Sequence, residues 1–151
     1  MATRAELGIS HWAVKEGFVQ ALESALELGD ERKADEVLNA ISNLAPGESS
    51  PYLRAQAARL AGRLAARRGD VEAAGRSLAA AEAGFRDLGA EFYLAVSLLE
   101  RAECLPGERA ADMEPMLGEA EGIFSKLRAT PWLDRLRAAR ARQGDDALAG
   151  A

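Results

Sequence analysis

Aromatic residues recur along this chain at nearly constant intervals. Four of them stand 40, 41 and 39 residues apart: Trp12, Tyr52, Tyr93 and Trp132. A second column contains Phe85 and Phe124, which are separated by 39 residues. Recurrence of one residue class at a period of about 20 to 50 residues is typical of stacked repeat units. The spacing therefore predicts a repeat architecture with units of about 40 residues.

Each unit is long enough for two helices, and the composition favours helices. The chain contains 33 Ala and 20 Leu but only 10 Val, Ile and Thr together, which excludes a β-rich fold. Apolar residues follow a helical period between breaks such as Gly29-Asp30 and Gly69-Asp70. The predicted helices are 10–28, 31–45, 51–68, 71–88, 90–104, 109–128 and 131–143.

These segments predict an all-α fold, a right-handed superhelix of three helical hairpins closed by a capping helix. One hairpin cannot bury its apolar face alone, whereas stacked hairpins share a continuous core. We expect Phe85 and Phe124 to occupy equivalent buried positions in successive units. The prediction is a single domain over 1–144, with hairpins at 10–45, 51–88 and 90–128, a capping helix at 131–143 and a flexible tail at 145–151.

The charge of the chain bears on its partners. The formal net charge is -5, and the first fifty residues carry 4 basic and 9 acidic side chains. Because surfaces that bind nucleic acid are usually basic, we expect no nucleic-acid partner. No apolar run reaches the roughly 18–20 residues of a membrane span, and residues 1–6 lack the apolar core of a signal peptide. We therefore expect a cytoplasmic protein without membrane contact.

The sequence lacks familiar catalytic and metal-binding motifs. It has no phosphate-binding loop, no nucleophile elbow, no zinc-protease helix and no calcium loop. His11 and Cys104 are the only residues of their types, too few for a His/Cys zinc site. We expect Cys104, Met113 and Met116 to serve as core residues. The prediction is a protein that is not an enzyme and needs no cofactor.

The second unit resembles a tetratricopeptide repeat. That family has small residues at three fixed positions around a helix break. Aligning Gly69-Asp70 with the break puts Gly62, Ala74 and Ala81 on those positions. The resemblance implies a tetratricopeptide-like solenoid in which one face of the first helix of each unit lines a concave groove.

Two longer segments resemble the repeat arrays of large bacterial regulators. They are FRDLGA at 85–90 and IFSKLRATPWL at 123–133. Such arrays close ATPase-containing class III nucleotide cyclases and occur in ATPase-containing LuxR-type transcription regulators. The catalytic parts of those proteins have no counterpart in this sequence. The resemblance implies the non-enzymatic docking or sensing portion of a larger bacterial signalling protein.

A stripe of arginines on the third helix is the main candidate for a partner-binding site. Arg59, Arg63 and Arg67 lie four residues apart and so share one helix face. The tetratricopeptide resemblance places all three, together with Gln56, on the wall of the concave groove. Guanidinium groups present paired donors to carboxylates. We therefore expect a partner peptide or helix with acidic groups, from another protein or from another domain of the parent.

The same resemblance places an acidic wall in the first unit, formed by Glu16, Glu23 and Glu27. Two alternatives to docking follow from it: the acidic and basic walls pair with each other, or both face water. A separate functional alternative is a structural, self-associating array in which the last helix forms a homodimer contact.

Overall fold

Seven helices make up most of the described chain. The computed structural model describes residues 12–105 and 110–149. No strand occurs within those two ranges, and all seven predicted segments are helical, so the all-α prediction is confirmed. The helices are α1 (Trp12–Leu28), α2 (Glu31–Ser42), α3 (Pro51–Arg67), α4 (Val71–Asp87), α5 (Glu91–Cys104), α6 (Ala110–Lys126) and α7 (Thr130–Ala149).

Capping side chains and left-handed glycines fix the helix ends. The side chains of Asp30, Ser50 and Asp70 each accept a hydrogen bond from the backbone N–H three residues on, which satisfies a donor that the first helical turn leaves open. Gly29 and Gly69 adopt φ values of 72° and 77° just before two of these caps. That backbone conformation strains residues with a Cβ. The two Gly-Asp turns therefore end one helix and begin the next.

Two predicted boundaries were wrong. α7 extends to Ala149 rather than ending at 143, so the start of the predicted tail is helical. Gly144 inside a helix costs only about 1 kcal/mol relative to Ala, and no proline follows it to break the helix. α2 ends at Ser42 rather than 45, because Asn43 caps it and the N–H of Ala45 donates to the side chain of Glu48 instead.

The odd-numbered helices connect successive hairpins. α3 packs on α1 and α2, α5 packs on α3 and α4, and α7 packs on α5 and α6. α1, α3, α5 and α7 also contact one another in sequence order. This contact pattern brings side chains of α3 and α5, about 41 residues apart, face to face along their lengths.

Small residues bring α3 and α4 close together. A Cβ added to Gly62 would lie 2.7 Å from Cγ of Leu78, and one added to Gly84 would lie 3.0 Å from Cβ of Ala55. Phe85 and Phe124 are both fully buried, as predicted. Met113 is fully buried, which confirms its expected core position, whereas Met116 is partly buried against the same core.

The described helices also bear on membrane insertion. None of the helices in the two described ranges has both the length and the apolarity needed to cross a membrane.

Candidate partner-binding site

The first halves of α3 and α5 meet through aromatic rings. The ring centroid of Tyr52 lies 5.6 Å from that of Tyr93 and 6.5 Å from that of Phe85. Phe85 stacks on Tyr93 at 5.5 Å. Gln56 donates a hydrogen bond of 3.0 Å from Nε2 to the hydroxyl of Tyr52. Burial raises the pKa of Tyr52, so its hydroxyl stays protonated and uncharged at neutral pH.

A buried ion network occupies the same interface one to two turns further on. Arg59 donates from Nε to Oε1 of Gln56 at 2.9 Å and from Nη1 to Oε1 of Glu100 at 2.8 Å. Its Nη2 donates to Oε1 of Glu23 on α1. The side chains of Arg59 and Glu100 are each only 3% exposed. The guanidinium of Arg59 therefore links α1, α3 and α5 from inside the fold.

Glu100 is the least satisfied member of this network. Its Oε2 is buried and has no hydrogen-bond partner among the residues that the structure describes. Burial raises the pKa of Glu100, and the nearby charges of Arg59, Arg63 and Arg135 oppose that shift. A carboxyl group with a raised pKa in the fold is easier to protonate than in water.

Beside the network lies an open cavity of about 440 Å³ between α3, α5 and α7. It is lined by two small side chains, two carboxylates and three guanidinium groups. These residues are Arg63, Ala66, Arg67, Glu100, Glu103, Cys104 and Arg135. The cationic groups come from two different helices and converge on one space.

The three cavity arginines differ in how fully they are paired. Arg135 makes two hydrogen bonds to Glu103, of 2.9 and 2.6 Å. Within the described part of the chain, Arg63 makes one long ionic contact, of 3.5 Å from Nη1 to Oε1 of Glu100, and its side chain is 27% exposed. Arg67 donates from Nη1 to the backbone carbonyl of Leu26. Arg63 and Arg67 therefore retain donors for a further anionic group.

Gln56 and Arg59 need a correction as partner-facing residues. Both are buried, and their polar atoms are used within the fold, because α5 covers this part of α3. The alternative of pairing between the two walls describes Arg59 and Glu23. Only Arg63 and Arg67 of the arginine stripe line the cavity.

The other acidic-wall residues stay apart from the arginines. Glu16 accepts a hydrogen bond from Gln20 on its own helix. Glu27 lies exposed in the last turn of α1. The acidic wall therefore contributes one member, Glu23, to the ion network.

Sequence reasoning missed Glu100, Glu103 and Arg135. A signal for Glu100 was present, because Tyr52 and Tyr93 are 41 residues apart and Arg59 and Glu100 have the same separation. The repeat register thus aligned an arginine with a glutamate on helices that contact each other. Glu103 and Arg135 gave no comparable signal, since charged residues on helices usually face solvent.

The site offers charge rather than a reactive group. Burial raises the pKa of Cys104 to about 11, so its thiol stays protonated near neutral pH. Within 12–105 and 110–149, no group of three or more His, Cys, Asp or Glu side chains is arranged to hold a metal ion. His11 lies outside the described residues. What the cavity can do chemically is hold an anionic group between guanidinium donors.

Comparison with known proteins finds no matching family model, no matching curated protein and no matching solved structure.

Proposed function

We propose that this chain is a non-enzymatic interaction module whose cationic cavity binds an acidic segment of a protein partner or of another domain of its parent. The proposal includes the tetratricopeptide-like superhelix, a cytoplasmic setting and a role as the docking portion of a larger bacterial signalling protein. The observation that carries it is the pair Arg63 and Arg67, which line the cavity with donors to spare.

The charge balance of the cavity supports an anionic occupant. Three arginines face two carboxylates, so the lining has a formal excess of one positive charge. A carboxylate that enters between Arg63 and Arg67 forms charge-assisted hydrogen bonds, which are roughly twice as strong as neutral ones.

The arrangement of helices supports an elongated partner. α3, α5 and α7 lie side by side and all contribute to the cavity. A volume of about 440 Å³ accommodates a few side chains, and a segment crossing several helices could insert them in turn. Surface charges at such a groove mainly set the association rate and the choice of partner.

A binding assay with an acidic probe tests the proposal. The probe is a fluorescein-labelled peptide rich in Glu, and fluorescence anisotropy measures its affinity. Arg63→Glu and Arg67→Glu should each weaken binding about tenfold or more at low salt, and the difference should shrink at high salt because ions screen exposed charges. Arg76→Glu is the matched control, since Arg76 pairs with Glu72 on the surface of α4 away from the cavity.

Two outcomes count against docking. Equal affinity of the Arg63→Glu and Arg76→Glu proteins for the probe would remove the cavity from the binding surface. A lower melting temperature of Arg63→Glu with unchanged affinity would mean that the cavity charges serve the fold alone. Light scattering on the same samples distinguishes the self-associating alternative, which requires a dimer in the absence of the probe.

A further inference from the structure

The outward face of α3 forms the floor of a second surface. Counting 100° per residue, Ala57, Ala58 and Ala61 lie roughly half a turn around α3 from the arginine stripe. They stand between α2 and α4, which both pack on α3. All three alanines are partly exposed. A row of small side chains at helical spacing leaves room for another element to approach α3 closely.

Two cavities adjoin on this floor. The larger, about 630 Å³, lies between α2 and α3, and Leu38 and Ile41 form part of its wall. The second, about 480 Å³, lies between α3 and α4. Both are lined by Arg54 and Ala58, so they meet along α3. We call the joined surface the alanine trough. It differs from the cationic cavity because its lining is mainly apolar.

Arg54 is the single charged residue that lines the larger cavity. Its Nη1 donates to the backbone carbonyl of Ser49 at 2.6 Å. None of the ion pairs formed among the described residues includes Arg54. Asp87 also lines the smaller cavity, at the end away from α2. Because Arg54 lies where the two cavities meet and keeps donors left over, it favours an occupant that places one carboxylate opposite it.

We propose that the alanine trough docks an amphipathic helix of a partner protein, with its apolar face on the alanines and one carboxylate facing Arg54. A helix fits better than an extended peptide because a helix satisfies its own backbone hydrogen bonds. The N–H and C=O groups of an extended segment would be buried against α3, whose own backbone groups are already paired. The proposal stands apart from the acidic-segment function, because the two surfaces lie on opposite sides of α3.

A pair of designed helical peptides tests the proposal with the full chain. Each is fluorescein-labelled, with Ala and Leu on one face and polar residues elsewhere, and they differ by a single Glu or Lys in the centre of the apolar face. The wild-type protein should bind the Glu peptide about tenfold more tightly than the Lys peptide, a typical effect of one close charge pair. Arg54→Glu should reverse this preference, and Arg76→Glu should leave it unchanged. Arg54 is exposed, so its substitution leaves the core intact.

Further variants separate the possible outcomes. Ala61→Trp, which fills the floor, should abolish helix binding, while Arg63→Glu should not affect it. Circular dichroism measures the melting temperature of Ala61→Trp. If this variant proves to be misfolded, the peptide preference of Arg54→Glu tests the proposal instead. The proposal is overturned if a sequence-scrambled peptide binds as tightly, if Arg54→Glu keeps the wild-type preference, or if the trough takes up a small apolar dye that neither helix displaces.

Discussion

One half of the α3–α5 interface is aromatic and the other half is ionic. In both halves the two residues that meet, Tyr52 with Tyr93 and Arg59 with Glu100, are 41 residues apart in sequence. The aromatic column has one aromatic residue in the first turn of each odd-numbered helix: Trp12, Tyr52, Tyr93 and Trp132. One to two turns later, the column with the same spacings contains Val19, Arg59, Glu100 and Ala139. Its outer members are buried apolar residues, and only the two central members are charged. The sequence therefore has an aromatic residue at all four positions of the first spacing, whereas the second spacing has ions at its two central positions and apolar residues at its outer ones.

The contrast is between aromatic residues, which recur along the whole chain, and a buried ion pair, which occurs at the α3–α5 interface. The rings of Tyr52, Tyr93 and Trp132 pack partly buried against the core, and an aromatic ring gains from such burial without a charged partner. A buried ion, in contrast, is stable only when its counter-charge is present. Arg59 and Glu100 must therefore occur together, and they occur beside the cavity that Arg63 and Arg67 line. The departure from the repeat pattern coincides with the candidate site.

The largest expected effect comes from removing a buried aromatic ring. Phe85→Ala and Phe124→Ala should each lower the free energy of unfolding by about 3–5 kcal/mol, because each removes a fully buried ring. Urea denaturation followed by circular dichroism measures the change. Similar losses for both would agree with equivalent positions in successive units, whereas a loss below about 1 kcal/mol for either would contradict the repeat register.

Removing one partner of the buried ion pair should lower the free energy of unfolding nearly as much, for a different reason. Arg59→Met leaves Glu100 buried without its main partner and should cost about 3 kcal/mol, the lower end of the range for such pairs, since Arg63 lies close enough to move in. The double variant Arg59→Met, Glu100→Leu removes both charges and should recover most of that loss. A double-mutant cycle in urea measures the coupling.

An exposed ion pair is the control for this cycle. Arg86 and Glu119 form two hydrogen bonds on the surface, of 2.7 and 3.0 Å. Arg86→Met should cost less than about 1 kcal/mol, because solvent screens exposed pairs. If the effects of the Arg59 and Glu100 substitutions were additive, the two residues would not be coupled, and the prediction that they depend on each other would be wrong.

The smallest expected effect is a pH dependence that sharpens the contrast between buried and exposed carboxyl groups. Burial raises the pKa of Glu100, against the opposing charges of Arg59, Arg63 and Arg135. Its contribution to stability is therefore fully present below its unfolded pKa, about 4.3, and is lost as pH rises through its folded pKa. The free energy of unfolding of wild type, relative to that of Glu100→Gln, should therefore fall as pH rises through the folded pKa of Glu100.

Glu119 provides the opposite sign in the same experiment. A hydrogen bond from Arg86 lowers its pKa, so its contribution is present above the unfolded pKa and is lost as pH falls. Unfolding in urea at several pH values, on Glu100→Gln and Glu119→Gln side by side, checks both signs. If the stability differences of the two variants from wild type changed with pH in the same direction, the contrast between a buried Glu100 and an exposed Glu119 would be wrong.

Local sequence signals predicted the helices well and the site only partly. The Gly-Asp turns and the Ser50-Pro51 start determine helix ends through caps that act within a few residues. The stripe spacing placed Arg63 and Arg67 on one face correctly. It could not distinguish them from Arg59, because burial of Arg59 depends on α5, which lies about forty residues away in sequence.

The sequence by itself determined that this chain is all-helical, where most of its helices begin and end, and which phenylalanines are buried. These properties follow from local capping chemistry and from the period of apolar residues. Only the tertiary structure decided which charges are partners, which arginines retain free donors, and that an alanine-floored trough lies opposite them. Helices carry charged residues on every exposed face, and only the packing of one helix on another determines which of those charges lose contact with water.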